Sequence, residues 1–517
     1  MTDAASLEVL RSRLAGVADE MGAVLRRAAF SPNIKERADC SAALFTADGS
    51  LLVQAEHIPV HLGSMPAAVR AALDACGDAR PGDQIVVNDP FAGGTHLNDV
   101  TLVAPVFRSS SLVGWAANRA HHADLGGTAP GSMPADATTI DEEGLRLSPQ
   151  LLTADVAAAF EAASRTPVER RGDLAAQQGA NVVGAERLVE IVDALGRTSS
   201  FTDLLDYGER RMRAALWQLP DGTWVAEDQL DSVGAGPEQR VPARVVVTVR
   251  KLGDEITFDF AGSQPQRPGN VNAVEAVTVS AVAVAVRAVT DPTIPANAGS
   301  LRPVRVDVPS GTVVGAEPPV AVGAGNVEVS QRVADVCLAA LAAAAPDRVG
   351  AASQGTMNNV LLGGEGWVYY ETIGGGQGGR PHAAGMSGVH TNMTNTANTP
   401  IEALERAIPV RVRTYRLRRR SGGAGRHPGG EGIERELEVL EDATVSLITE
   451  RRESRPWGLA GGAPGAAGEN WLLPGGDEAE AERLPDKCTI RLRAGDVLRM
   501  LTPGGGGWGS PLDRPPR

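Results

Sequence analysis

Apolar residues recur at three- and four-residue steps near the start of the chain, at Leu7, Leu10, Leu14, Val17, Met21, Val24 and Leu25. That stripe predicts an amphipathic helix over residues 3–28, ended by Ser31-Pro32. The period then shortens to that of strands. CSAALF and LLVQA flank Ala47-Asp48-Gly49 and predict a β-hairpin with Asp39 at its entrance. In the next stretch, HIPVHLGSMPAAVRAALDAC, Ser64 is a candidate N-cap for a helix with Pro66 in its first turn. A second hairpin is predicted where TLVAPVF and SLVGWAA flank the polar turn Arg108-Ser109-Ser110-Ser111.

Residues 151–215 read as helices broken at Pro167 and around Gly196. Strands return from residue 221, where ARVVVTVRKLGDEITFDFAG alternates apolar and polar around Leu252-Gly253-Asp254. Helical blocks are expected again at 271–289 and 326–344. Next comes ETIGGGQGGRPHAAGMSGVHTNMTNTANTP, too rich in hydrogen-bonding residues for a simple linker, and then short strands separated by glycines. No internal repeat is visible. A chain of 517 residues is too long for one core. The expected fold class is α+β and multidomain, with mixed antiparallel sheets, helical blocks and a small β-rich C-terminal domain. The expected domains are residues 1–220, carrying the catalytic chemistry, a central α/β unit at 221–410, and 411–517.

The second hairpin matters most for chemistry. His96, His121 and His122, three of the eight histidines, each lie within three residues of Asp99 or Asp124. If the turn centres near Ser109 and Ser110, one-to-one antiparallel pairing brings Asp99 opposite the region of Ala120 and His121. His96 then faces the region of Ala123, and the two His/Asp groups meet at the open end of one hairpin. Imidazole and carboxylate together suit borderline divalent metals, and Asp39, His96, Asp99, His121 or His122, and Asp124 supply those types. Alternation along a strand sends His121 and His122 to opposite faces, so one is expected as a ligand and the other beside the substrate or behind the ligands. Loop hydrogen bonds and N-caps are the competing roles for any one of these residues. Pro59 argues against His57 and His61 as a helical ligand pair.

A net charge of −14 argues against nucleic acid or an anionic membrane as main partner. The start of the chain shows no export signal, and its most apolar run, residues 276–286, is too short to cross a bilayer. Cys40, Cys76, Cys337 and Cys488 form no CxxC and are expected as reduced thiols, which points to the cytoplasm. No GxxxxGK[ST] is present, so the usual nucleotide cradle is missing. Asp124-Leu-Gly-Gly-Thr128 looks like the phosphate turn of an actin-like ATPase, but it stands in the wrong place and lacks a second loop. The basic run Arg411–Arg420 reads as a strand with one solvated face.

SPNIKERADCSAALF, HIPVHLGSMP, NDPFAGGTHLNDVT, AHHADLGGTAPGSMP, DEEG, GNVNA, DPTIPANAG, ETIGGGQGGR, GVHTNMTNTANTPIEALE and the closing TPGGGGWG resemble the hydantoinase B/5-oxoprolinase family over nearly the whole chain. The resemblance implies one half of an ATP-dependent amidohydrolase that opens hydantoins, 5-oxoproline or related lactams. ATP is then used by an A-type subunit of actin-like ATPase fold in a hetero-oligomer, and this chain carries a divalent metal (zinc, manganese or iron). Carried onto this sequence, the metal ligands are Asp39, His96, Asp99, His122 and Asp124. Asp99 or Asp124 is expected as general base, with His121 also at the catalytic centre. Backbone N–H groups of Gly375, Gly376, Gln377 and Gly378 are expected to hold an oxyanion or phosphate. The alternative is a component of an ATP-dependent ketone carboxylase. Arg146 stands in the region where those relatives have a further histidine, which leans against it.

Overall fold

A computed structural model describes residues 4–55, 58–196 and 198–511. Its first sheet has six strands: β1 (Cys40–Thr46), β2 (Leu51–Gln54), β3 (Ile85–Val87), β4 (Asp99–Arg108), β5 (Ser111–His121) and β6 (Gln150–Leu151). Their order is β2-β1-β5-β4-β3-β6, and every pairing is antiparallel. Both faces are covered. Ala42, Leu44, Val106 and Ala116 pack with residues of helices Ala4–Ala28, Pro167–Leu195 and Ser199–Trp217. Ala43, Phe45, Val103, Trp115 and Ala117 pack with Met65, Val69 and Ala72 of helix Ser64–Cys76. Burial on two sides is why these strands are written as continuous apolar runs.

The second sheet consists of β7 (Gly222–Leu230), β8 (Ala243–Leu252), β9 (Glu255–Asp259) and β10 (Val304–Asp307), in the order β10-β9-β8-β7. Val245, Val247 and Val249 of β8 meet Val282 and Val286 of helix Glu275–Val289 and Val333 and Val336 of helix Ser330–Leu341 in the largest core. That core also takes in Leu97, Met133, Tyr370 and Ile448, so it spans much of the chain.

The remaining strands are β11 (Asn359–Gly364), β12 (Trp367–Thr372), β13 (Val410–Arg418), β14 (Gly432–Val439), β15 (Ala443–Ile448), β16 (Glu469–Leu473), β17 (Glu482–Leu484), β18 (Lys487–Leu492) and β19 (Val497–Leu501). They form two sheets, β12-β11-β15-β18 and β13-β14-β19-β16-β17. The first of these draws strands from both sides of the domain boundary expected at 410/411. The chain is thus α+β with several antiparallel sheets. Among the described residues, no helix is long and apolar enough to cross a membrane.

One local expectation needs correcting. The N-cap of helix Ser64–Cys76 is Gly63, without a side-chain cap. Ser64 instead donates from Oγ to Val60 O and accepts from buried Arg119 on β5. The Arg411–Arg420 run lies largely on strand β13 with one solvated face, as expected, and there Arg411 and Arg413 pair with Glu438, and Arg416 with Glu434. His57 lies outside the described residues.

Candidate metal centre

Three neighbouring strands end together at one edge of the first sheet: β4 begins at Asp99, β5 ends at His121, and Asp39 immediately precedes β1. Asp99 lies directly opposite His121 in the ladder. A register shift sets this match. Near the turn Phe107 pairs with Leu112, but beyond it Val106 pairs with Gly114, leaving Val113 as an extra residue on β5. Counted straight from the turn, Asp99 would meet Ala120; the bulge moves His121 into place. The amide of His121 also donates to the Asp39 carbonyl, which fixes the third strand beside the other two.

Asp99 is the hub of the group. Its Oδ1 stands 3.1 Å from His96 Nε2 and accepts from His121 Nδ1 at 3.2 Å. Its Oδ2 accepts from Thr95 Oγ1 at 2.6 Å and Asn326 Nδ2 at 3.1 Å, with His61 Nε2 at 3.4 Å. One atom from each of His96, Asp99 and His121 falls within 4.8 Å of the others, and all three residues are buried. His61, set by the short turn Pro59–His61, points Nδ1 at Ser41 Oγ and Nε2 at Asp99. The HIPVH sequence was a signal for it, but only the fold brings it in.

Burial works against the Asp99 carboxylate, yet His96, His61 and the His121 hydrogen bond outweigh it and hold its pKa well below the ordinary value. Burial pushes His121 down to about 4, so its ring is neutral and free to donate a lone pair. Asp39 is different. Burial, reinforced by Asp99 and opposed by Arg37, pushes its carboxyl up to about 6. Behind His96, the Gly323 carbonyl lies 3.3 Å from Nδ1, and buried Glu143 accepts the backbone N–H groups of Val322 and Gly323. Glu143, from the DEEG motif, therefore shapes the loop that orients His96; burial lifts its pKa to about 8 despite those two bonds.

A cavity of about 20 Å³ adjoins the group and is lined by Asp39, His61, Asp99, His121, Asn326 and Tyr370, among others. That is room for about one water. The Tyr370 ring stacks on His121 with centroids 4.5 Å apart. Two larger clefts, about 780 and 760 Å³, contain none of these histidines or aspartates, so the chemistry does not follow cavity size.

Three expected participants stand elsewhere. His122 turns to the opposite face of the sheet, with Nε2 2.9 Å from Gln177 Oε1 and its ring edge against Phe160. Asp124 is consumed by a clamp: Oδ1 accepts from Arg165 Nη1 and Gly131 N, and Oδ2 from Arg165 N and Ser164 Oγ. The expected ligand roles of both residues, and a base role for Asp124, therefore find no support in the geometry. The Gly375–Gly378 cradle finds no support in the geometry either. Each backbone N–H there already has an internal acceptor: Val389 O, Pro503 O, Met386 O and Ser353 Oγ in turn. These glycines serve close packing instead. A Cβ at Gly376 would lie 2.1 Å from Gly430 O, and one at Gly505 the same distance from Gln377 O, so the GGGQGG and PGGGGWG tracts interleave backbone against backbone.

Comparison with known proteins adds to this geometry. A family model described as hydantoinase B/oxoprolinase matches residues 3–511. An uncharacterized protein of Methanocaldococcus jannaschii is 40% identical, over 99% of this chain and 92% of its own length. The 5-oxoprolinase 1 of Arabidopsis thaliana is 38% identical over 99% of this chain, which spans only 42% of that longer protein. The putative B-type component of a D-/L-hydantoinase from a Pseudomonas species is 31% identical, with 91% of it covered. Among solved structures, the ATP-dependent caprolactamase of Pseudomonas jessenii superposes with a TM-score of 0.92 at 30% identity, covering 100% of this chain and 92% of that one. A nucleotide-free acetone carboxylase superposes with a TM-score of 0.88 over 98% of this chain and 76% of its own, and at 20% identity shares the fold alone.

Proposed function

The chain belongs to the hydantoinase B/oxoprolinase family, and from that premise we propose that it is the catalytic component of an ATP-dependent amidohydrolase that opens a hydantoin, 5-oxoproline or related lactam ring. The observation that carries the proposal is the buried His96–Asp99–His121 group beside a small cavity lined in part by Asp39 and Asn326. One carboxylate and two imidazoles suit zinc, manganese or iron. Among the described residues, His121 Nε2 is buried with no hydrogen-bond partner, and His96 Nε2 faces only the Asp99 carboxylate, as atoms awaiting a shared ion would. A divalent ion bound there would supply a water of lowered pKa.

The chain's own residues divide the remaining work. Asp99, held ionised, and the neutral His121 bind; the Gly323 carbonyl keeps His96 Nε2 turned inward. Asp39 lines the same cavity with a carboxyl that titrates near 6, the range suited to taking a proton from water at neutral pH. The water oxygen bonds to the phosphorylated ring carbon, the C–N bond breaks and the ring nitrogen leaves with a proton; the acyl phosphate that remains takes up a second water and releases inorganic phosphate, leaving the carboxylate. ATP is used by a separate A-type subunit, which phosphorylates the carbonyl oxygen while the ring nitrogen keeps its hydrogen, so that the carbon becomes iminium-like and electrophilic.

Co-purification with an ATPase-fold partner and assay on hydantoin, 5-oxoproline and caprolactam provides the test. Ring opening coupled to ATP hydrolysis, and independent of bicarbonate, is expected. ATP use that requires bicarbonate and yields a carboxylated ketone would overturn the reading in favour of a carboxylase.

A further inference from the structure

The turn Gly325–Val329 is π-helical, a form that occurs mostly as single turns and often at functional sites. Gly325 makes it possible, since a Cβ there would lie 2.0 Å from the Asn272 carbonyl oxygen. The turn carries Asn326, which is 3% exposed and lines the cavity beside Asp39, His61, Asp99 and His121. Asn326 Nδ2 donates to Asp99 Oδ2 at 3.1 Å. An ionised carboxylate only accepts, so the Asn326 amide cannot be reversed, and Oδ1 is fixed as its free end. That oxygen is buried and has no hydrogen-bond partner among the described residues. A buried acceptor left unpaired is costly, and an N–H from a bound molecule would remove the cost.

We propose that Asn326 is a specificity-determining residue whose Oδ1 accepts the N–H of the ring amide, so that the site takes cyclic secondary amides and rejects those substituted on the nitrogen to be released. The inference rests on the functional reading above. In a lactam ring the N–H and C=O project from one edge. An N–H on Asn326 Oδ1 therefore turns the carbonyl toward the His/Asp group to which Asn326 Nδ2 is tied. The cavity admits an edge rather than a whole ring, and Met393, Thr394 and Thr396 complete its lining beside Asn326.

The test uses the metal-loaded complex with its ATPase partner. Whichever of hydantoin, 5-oxoproline and caprolactam is opened is compared with its counterpart methylated on the scissile nitrogen, by kcat/KM or, where there is no turnover, by inhibition constant. Wild type should favour the N–H ring by at least about 100-fold, because a site built to pair a donor strongly rejects analogues that lack it. Assayed in excess metal, because Asn326 also holds the ligand Asp99, Asn326→Ala should lose most of that preference by weakening the N–H ring far more than its methylated counterpart. Asn326→Ser, which keeps a small acceptor, should retain part of it and covers the case in which the alanine variant fails to fold. Equal losses on both rings, or a wild type that accepts both alike, would overturn the role of Asn326 while leaving ring opening intact. A wild type that opens none of the rings would instead overturn the functional reading and this inference with it.

Discussion

Asp99 gathers His61, Thr95, His96, His121 and Asn326 around one carboxylate, and two adjacent histidines show how much one position along a strand decides. His121 faces Asp99; His122 faces Gln177 and Phe160. Losing an outer partner of a metal ligand typically costs about 10- to 100-fold in affinity, so losing a ligand should cost more. Elemental analysis should accordingly find metal in wild type and in His122→Ala, and little in His121→Ala or Asp99→Asn. His122→Ala should show its effect in denaturation instead. Gln177 Oε1 loses the imidazole beside it, a change worth about 1–3 kcal/mol. Full metal occupancy in His121→Ala would refute the ligand assignment.

At the scale of elements, the π-turn that presents Asn326 also holds Glu328 two residues on. Its Oε1 accepts from Thr356 Oγ1, Met357 N and Asn359 Nδ2, while Oε2 is buried without a partner among the described residues. Burial, with repulsion from Glu450 added, raises its pKa to about 8. The folded protein therefore keeps a proton that the unfolded chain, with its Glu near 4.5, has released. The Glu328 contribution to stability is complete below about pH 4.5 and is lost as pH rises through about 8. The thermal midpoint should fall from pH 5 to pH 8 in wild type. Glu328→Gln, which keeps Oε1 and replaces the unpaired oxygen with an amide nitrogen, should flatten that slope. An unchanged slope would show that Glu328 is not held protonated.

Across the whole molecule, buried charge joins the sheets. Lys487, at the start of β18, is fully buried and donates to Glu450 and Asp486, and Glu450 in turn meets Arg332 of helix Ser330–Leu341. Removing one partner of such a network leaves an uncompensated buried charge, so Lys487→Met should lose about 3–5 kcal/mol in chemical denaturation. The isolated chain should neither bind ATP tightly nor hydrolyse it. The amides of the Gly375–Gly378 tract are already spent on internal acceptors, and Asp124 of the Asp-Leu-Gly-Gly-Thr turn is clamped by Arg165. Micromolar ATP affinity by calorimetric titration of this chain alone would contradict both readings.

Local pattern determined a good deal. The stripe from Leu7 to Leu25, the apolar runs flanking Ala47-Asp48-Gly49 and Ser109-Ser110, and the alternation in ARVVVTV set helix and strand directly, because period and turn chemistry act over a few residues. The meeting of Asp99 with the end of β5 was legible for the same reason, since a hairpin's partner lies nearby in sequence. What the chain could not show locally was the bulge at Val113, which selects His121 over Ala120 opposite Asp99. Nor could it show the turn that swings His61 onto Asp99, or Asn326 arriving from a distant π-turn. The glycine tracts misled in the same way: their composition suits an anion cradle and a tight backbone seam equally well. Only the presence of other backbones about 2 Å from where their Cβ atoms would be decides for the seam. Such long-range contacts depend on how separate sheets and loops pack together, and no stretch of sequence carries that packing by itself.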